Sequence, residues 1–143
     1  MPEECTLFQL TNIFFIIFRL AKSHDPDLQA PMILLIQDTA NHKFGAYLSE
    51  SLKILEKSYG SGETFVFQLL DRPKVYKWTA KNSLFILGST DSFAIGIDDG
   101  KFALYLDSSL NQGRSQGCQT FANDPLTPDE DFVVKVMEIW IFR

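Results

Sequence analysis

The chain has 143 residues, a formal net charge of −5 and a pI near 4.9. This length predicts one domain that is large enough to bury a core. The acidic balance and the lack of any basic run argue against a nucleic-acid ligand, because phosphate binding needs clustered Lys and Arg. Two cysteines, Cys5 and Cys118, form no disulfide framework and indicate a reducing, intracellular compartment.

The first apolar stretch runs from Leu7 to Ala21 and predicts a buried helix. A membrane-spanning helix needs ~20 apolar residues, so we expect no transmembrane segment here. The acidic start of the chain also differs from a secretory signal, which begins with positive charge. Pro26 ends the helix, since proline cannot extend it. We therefore expect residues 1–30 to form a helix and linker packed on a domain of residues 31–143.

The middle of this predicted helix, from Ile13 to Phe18, is apolar on nearly every side. Such a surface either contacts a partner or a second copy of the chain, or remains an exposed patch that favours association. Self-association through the N-terminal helix is therefore one prediction.

Most of the remaining chain consists of short apolar runs separated by turn residues, which is typical of a β-sandwich or barrel. Gly45 lies inside one run and indicates a close backbone approach or a bulge. Thr127 to Glu130 has the pattern of a short helical turn, with Pro128 at its first position. We expect a mainly β (α+β) fold, namely a two-sheet antiparallel β-sandwich with the N-terminal helix and short flanking helices. The predicted strands are Met32–Ile36, His42–Ser49, Glu63–Leu70, Lys74–Trp78, Ser83–Leu87, Phe93–Ile97, Phe102–Leu106 and a central last strand, Phe132–Phe142.

One hairpin and the loop after it stand out. Asp98-Asp99-Gly100 separates two alternating apolar runs and predicts a tight turn with positive φ, which glycine accepts without steric cost. The following segment, 108–123, is rich in Ser, Asn, Gln and Gly. A long polar loop positioned by a rigid sheet is a common place for function.

Short motifs along the chain resemble the TLDc domain, the module of oxidation resistance proteins and their relatives. They occur in the order and spacing of that family from about Leu20 to Phe142. The motifs are Phe44-Gly45-Ala46, Gly60-Ser61-Gly62-Glu63-Thr64-Phe65, Lys77-Trp78-Thr79, Asn82-Ser83, Asp91-Ser92, Leu106-Asp107, Gly113-Arg114-Ser115, Cys118-Gln119-Thr120-Phe121, Asp131-Phe132 and Glu138-Ile139-Trp140.

The resemblance implies a β-sandwich that acts as a non-enzymatic protein-interaction module in oxidative stress resistance. In several members such a domain binds the vacuolar proton-pumping ATPase and regulates its assembly, so a subunit of that pump is the expected partner. No cofactor or metal is expected. The implied location is the cytoplasm or, as in relatives, organelle membranes, mitochondria or the nucleus. The candidate interaction and motif residues are Gly60, Gly62, Glu63, Asp91, Ser92, Gly113, Arg114, Ser115, Cys118 and Glu138.

The chain also departs from the family pattern. Family members usually carry a further strand and helical segment upstream, so this chain resembles a member shortened at its N-terminus. The glycine that normally follows Lys-Trp-Thr is Ala80, and the usual tryptophan before Leu-Asp is Tyr105. The glycine-rich run after Asp-Ser is Gly96-Ile-Asp-Asp-Gly100. These changes predict an altered surface at the hairpin.

Two glutamates lie within predicted apolar strands. Strand alternation places Glu63 on the same face as Phe65 and Phe67, and Glu138 on the same face as Trp140. A buried carboxylate must be hydrogen-bonded, paired or protonated. Glu63 is therefore either an acid or base near Ser115 and Cys118, or a structural acceptor or partner of Arg114 that fixes the loop to the sheet.

The sequence contains few of the motifs that are typical of enzymes. His24 and His42 are too few for a convincing metal site, and no nucleophile elbow, phosphate-binding loop or dinucleotide motif occurs. The alternative function is a redox-active protein that uses Cys118 directly against peroxide. This chemistry needs an accessible thiol with a lowered pKa, and Arg114 is the nearest cation in sequence.

Overall fold

The computed structural model describes residues 5–9, 30–69 and 72–142. This part of the chain contains ten strands and no helix. The strands are β1 (Cys5–Gln9), β2 (Met32–Asp38), β3 (Lys43–Leu48), β4 (Phe65–Leu69), β5 (Pro73–Tyr76), β6 (Ile86–Gly88), β7 (Ser92–Asp98), β8 (Lys101–Asp107), β9 (Gln112–Arg114) and β10 (Asp131–Phe142).

All ten strands belong to one antiparallel sheet in the order β5-β4-β3-β2-β10-β9-β8-β7-β6, with β1 also paired to β10. The last strand holds the sheet together. Its first residues, Asp131 to Val133, pair with β9, whereas the run from Val134 to Ile141 pairs with β2. A register shift between Val134 and Val136 lies within the pairing of β10 with β2, just after the residues that pair with β9.

The prediction of a two-sheet sandwich with helices was wrong. Because β10 is 12 residues long, it carries hydrogen bonds to both halves, and the sheet continues through it without a break. The alternation of apolar and polar side chains predicts where strands lie but not which strands pair. The sequence therefore could not show that β10 pairs with strands of both halves of the sheet.

The helix predictions also need correction. Leu7 to Gln9 lie in β1, which pairs with the second half of β10, and the rest of the predicted N-terminal helix lies outside the described residues. The apolar run from Ile13 to Phe18 is outside them too, so self-association remains a prediction. Thr127 to Glu130 forms a bend rather than a helical turn, and the Thr127 hydroxyl donates to the Asp129 carbonyl.

Several strand predictions are confirmed. The hairpin of β7 and β8 turns at Asp99 and Gly100, both with positive φ. The β2–β3 hairpin is also present, and Gly45 makes the expected close approach to the backbone of Leu34 in β2. The last strand is central, as predicted.

Among the described residues, one hydrophobic core receives side chains from both halves of the sheet. At its centre, the ring edge of Phe44 in β3 packs against Phe132 in β10, with centroids 4.8 Å apart. Offset and edge-to-face aromatic pairs of this kind stabilise a core beyond the area they bury. The large side chains that are almost fully buried are Phe44, Phe93, Met32, Leu34, Ile36, Leu48, Leu52, Ile86, Ile95, Leu104 and Leu106.

Candidate functional site

The residues predicted from the motifs do not converge on one site. Gly60, Gly62 and Glu63 belong to the turn before β4, whereas Ser115 and Cys118 are buried residues of the polar segment 108–123. Asp91 and Ser92 form the turn into β7, where the Ser89 hydroxyl donates to the Asp91 carboxylate over 2.7 Å. The predicted set therefore divides into turn-forming residues, buried supports and a few surface groups.

Glu63 is exposed, so the prediction of a buried carboxylate among phenylalanines was wrong. The chain is still turning at this point, since the Thr64 amide donates to the Ser61 carbonyl, and β4 begins only at Phe65. The buried face carries Thr64 and Val66 instead. Glu63 is therefore an exposed residue of the turn before β4.

Glu138 confirms the expectation that a carboxylate in β10 is hydrogen-bonded. It is half-buried, and its Oε2 accepts a hydrogen bond from the indole Nε1 of Trp140 over 3.3 Å. Both side chains lie on the face opposite the core residues Met137 and Ile139. Glu138 therefore orients Trp140 on the outer face of the sheet.

Ser115 is fully buried and connects two segments of the chain. Its hydroxyl donates to the Ala103 carbonyl over 2.6 Å and accepts from the Leu126 amide over 2.8 Å. Both partners are backbone groups, which would otherwise be buried without a hydrogen bond. Ser115 thus holds the segment 115–130 against β8.

A second set of hydrogen bonds joins the loop 78–84 to the loop 118–121. The Thr79 amide donates to the Thr120 carbonyl over 3.0 Å, and the Thr79 hydroxyl donates to the Gln119 carbonyl over 2.6 Å. The buried Thr120 hydroxyl in turn donates to Oδ1 of Asn82 over 2.8 Å. Three of the sequence motifs therefore meet here, although the motif around Thr120 lies far along the chain from the other two.

Trp78 is an exposed aromatic residue that these loops hold in place. Its ring covers Gly62 so closely that a Cβ there would lie 2.3 Å from the indole, and it packs edge-on against Phe85. Its Nε1 donates to the Asn82 carbonyl over 2.6 Å. Trp78 is nevertheless 40% exposed. A rigid, partly exposed aromatic residue is a common anchor in protein interfaces.

Ala80 has a φ of 65° in the loop 78–84, where the family pattern has glycine. This left-handed conformation places the Cβ close to the following carbonyl, so glycine fits it better. We expect Ala80→Gly to stabilise the protein by about 0.5–1 kcal/mol. Urea denaturation would measure this, with Ala40→Gly as the control, because Ala40 has no positive φ. A loss of stability in Ala80→Gly equal to that in the control would contradict the explanation.

Two neighbouring grooves form a large concave surface around the motif residues. The first, the Asp38 groove, has a volume of about 560 Å³ and lies between the β2–β3 turn, β9 and the segment 127–133. The second, the Tyr105 groove, has a volume of about 640 Å³ and includes Phe102, Tyr105 and Asp107. The walls of both contain Gln112, Gly113, Arg114 and Asp131.

Arg114 and Asp131 form the boundary between the grooves. They are cross-strand neighbours in β9 and β10, and Tyr105 in β8 is the next residue in the same row. The guanidinium Nε donates to Asp131 Oδ1 over 2.7 Å, and Nη2 donates to Oδ2 over 3.3 Å. This hydrogen bonding raises the pKa of Arg114 and lowers the pKa of Asp131. Arg114 is therefore paired with Asp131 and not with Glu63.

The Asp38 groove also contains a histidine–carboxylate pair. Asp38 is buried, and its Oδ2 lies 2.9 Å from Nδ1 of His42. Its Oδ1 accepts hydrogen bonds from the backbone amides of Ala40 and His42. These contacts fix the β2–β3 turn, so Asp38 shapes the groove wall as well as carrying charge.

The side chains of the described residues form no metal cluster. Within residues 5–9, 30–69 and 72–142 no group of three or more His, Cys, Asp or Glu side chains could hold a metal ion. The described part of the chain also contains no helix that is long and apolar enough to cross a bilayer.

Comparison with known proteins places this sequence in a family. The sequence model of the TLDc domain matches residues 23–143. Human oxidation resistance protein 1 is 46% identical over 116 residues, which cover 81% of this chain and 13% of that protein. The same protein from Xenopus tropicalis is 47% identical over 116 residues, covering 81% and 13%. Mouse nuclear receptor coactivator 7 is 44% identical over 116 residues, covering 81% and 12%. The chain thus spans about an eighth of the length of these relatives.

Proposed function

Because the chain belongs to the TLDc domain family, we propose that it is a non-enzymatic protein-interaction module that serves in oxidative stress resistance. The observation that carries this proposal is the similarity to oxidation resistance protein 1 over most of the chain. The surface supports an interaction role, since a rigid sheet presents Trp78 and the two grooves to solvent.

We further propose that the partner is a subunit of the vacuolar proton-pumping ATPase, as the family resemblance implies. An intracellular site of action, in the cytoplasm or at organelle membranes, follows from this partner. The non-enzymatic part of the proposal is supported by the contacts of the polar groups. Ser115 bonds to backbone groups, Cys118 to Thr120 and His42 to Asp38, and each contact holds a turn or loop.

A binding experiment with the isolated peripheral V₁ sector tests the partner. The immobilised chain should retain V₁, and the corresponding domain of oxidation resistance protein 1 serves as the positive control. If that domain retains V₁ and this chain does not under the same conditions, the pump is not the partner of this chain.

Protection against peroxide tests the cellular role separately. Cells that lack their own family members should survive peroxide better when they express this chain at the level of a protective relative. Equal expression without improved survival would contradict the role in oxidative stress resistance, whatever the chain binds.

The alternative function, direct peroxide reduction by Cys118, lacks an accessible thiol. The Cys118 side chain is buried, and its Sγ donates to the buried Thr120 hydroxyl over 3.3 Å. The cation that could activate it, Arg114, bonds to Asp131 at the surface instead. Peroxide reacts with exposed thiolates, so this environment does not favour the reaction.

We expect Cys118→Ser to leave peroxide consumption by the purified protein unchanged. The substitution keeps a small hydrogen-bonding side chain beside Thr120, so the fold should survive it. Peroxide consumption by both proteins is measured with a colorimetric assay in excess thiol reductant. A parent protein that consumes peroxide several times faster than Cys118→Ser would establish the redox function.

A further inference from the structure

The walls of the two grooves carry more acidic than basic side chains. Their walls contain several carboxylates but, among the described residues, one guanidinium and one imidazole. The lining carboxylates are Asp38, Asp107, Asp129 and Asp131. Asp38 is buried and already held by His42, whereas Asp131 and Asp129 are exposed. The accessible charge of this surface is therefore negative around a single paired arginine.

The Tyr105 groove adds an aromatic wall. The rings of Phe102 and Tyr105 stack with centroids 5.4 Å apart and an interplanar angle of 29°, and both side chains are only half-buried. The exposed faces of such rings attract cations, and arginine most often. Asp107 at the end of the same strand is rigid, since its Oδ1 accepts from the Ser109 hydroxyl and the Asn111 amide.

Arg114 is an example of a cationic side chain that is already bound between the two grooves. Its guanidinium forms a two-pronged contact with Asp131 and lies in a cross-strand row with Tyr105. Both members of the ion pair are largely exposed, with side-chain exposures of 47% and 73%. Exposed ion pairs contribute little to stability, so an incoming cation can replace Arg114 on Asp131 at small cost.

We propose that the two grooves form one docking surface for an extended segment of a protein partner that is rich in arginine or lysine. One cationic side chain lies over Phe102 and Tyr105, and another binds Asp131 in competition with Arg114. This inference rests on the proposed role as an interaction module, but it does not depend on which protein the partner is.

The test uses the full chain and fluorescein-labelled peptides in a fluorescence anisotropy titration at low salt. A hexapeptide of alternating glycine and arginine should bind, and one of alternating glycine and glutamate should not. Asp131→Asn should weaken binding of the arginine peptide about two- to fivefold, the range expected for loss of an exposed ion pair. Arg114→Ala should strengthen binding by a similar factor, because it removes the competitor.

The two substitutions are expected to change peptide affinity in opposite directions, and this difference distinguishes a direct binding role of the ion pair from a purely structural role. Both substitutions break the same ion pair, so a purely structural role would change peptide binding in the same direction. Glu63→Gln and Lys74→Ala are the matched controls, since both residues are exposed and outside the grooves and make the same charge changes.

Three results would overturn the proposal: no binding of the arginine peptide, weaker binding in both groove variants, or equal effects in the controls. Retention of V₁ by a chain that does not bind the peptide would reject the docking surface and leave the proposed function intact. Peptide binding without V₁ retention would support the surface and reject the pump as partner.

Discussion

Gly45→Ala is expected to destabilise the protein by about 3 kcal/mol, which corresponds to a fall in melting temperature of about 10 °C. Gly45 lies in β3 opposite Leu35 of β2 and is buried. A Cβ built on it would lie 1.8 Å from the carbonyl oxygen of Leu34 and 2.9 Å from the ring of Phe67. Because the first neighbour is backbone, it cannot move aside without displacing a strand of the core.

Thermal denaturation followed by circular dichroism would measure this change. Gly100→Ala is the matched control, because Gly100 has a φ of 80° but no atom within 4 Å of the position that a Cβ would take. It should cost only the conformational strain of a left-handed alanine, about 1 kcal/mol. A similar loss of stability in both variants would mean that Gly45 is required for its flexibility and not for its lack of a side chain.

The sequence predicted local structure better than it predicted which strands pair with one another in the sheet. The turn at Gly100 and the close approach at Gly45 depend on a few adjacent residues, and both are present. The order of strands depends instead on β10, which pairs along its length with three different strands. Nothing in its apolar pattern distinguishes a strand shared by both halves from one that belongs to a single sheet.

The error at Glu63 has a different physical cause. Alternation assigned Glu63 and Phe65 to one face, but it could not determine which face is buried or where the strand begins. Thr64 is buried, and its hydroxyl donates to the Ser49 hydroxyl, which lies 15 positions earlier in the chain. The burial of the polar Thr64 side chain could therefore be understood only when its hydrogen-bond partner, Ser49, was known.

The grooves could not be predicted from the spacing of their residues along the sequence. Tyr105, Arg114 and Asp131 become neighbours only through the registers of β8, β9 and β10. The motif around Arg114 contains an exposed side chain, but the sequence offered Glu63 as only one of its possible partners, and the structure pairs it with Asp131 instead. Carboxylates are numerous in this acidic chain, so only the register identifies Asp131 as the partner.

Ser115→Ala is expected to destabilise the protein by about 3 kcal/mol, since it leaves two buried backbone groups without a partner. The Ala103 carbonyl loses its donor and the Leu126 amide loses its acceptor. The segment that follows Leu126 lines the Asp38 groove, so loosening it should also raise the flexibility of that wall. Urea denaturation measures the stability, and hydrogen exchange of the amides in 115–130 measures the local effect.

Ser109→Ala provides the control, because Ser109 is exposed and its hydroxyl contacts only the Asp107 carboxylate among the described residues. Surface substitutions of this kind change stability by about 0.5 kcal/mol or less. If Ser115→Ala kept the stability and exchange protection of the parent but lost retention of V₁, Ser115 would be a contact residue. Lower stability with retention of V₁ at a temperature where the fold is intact would instead establish Ser115 as a buried residue that stabilises the fold.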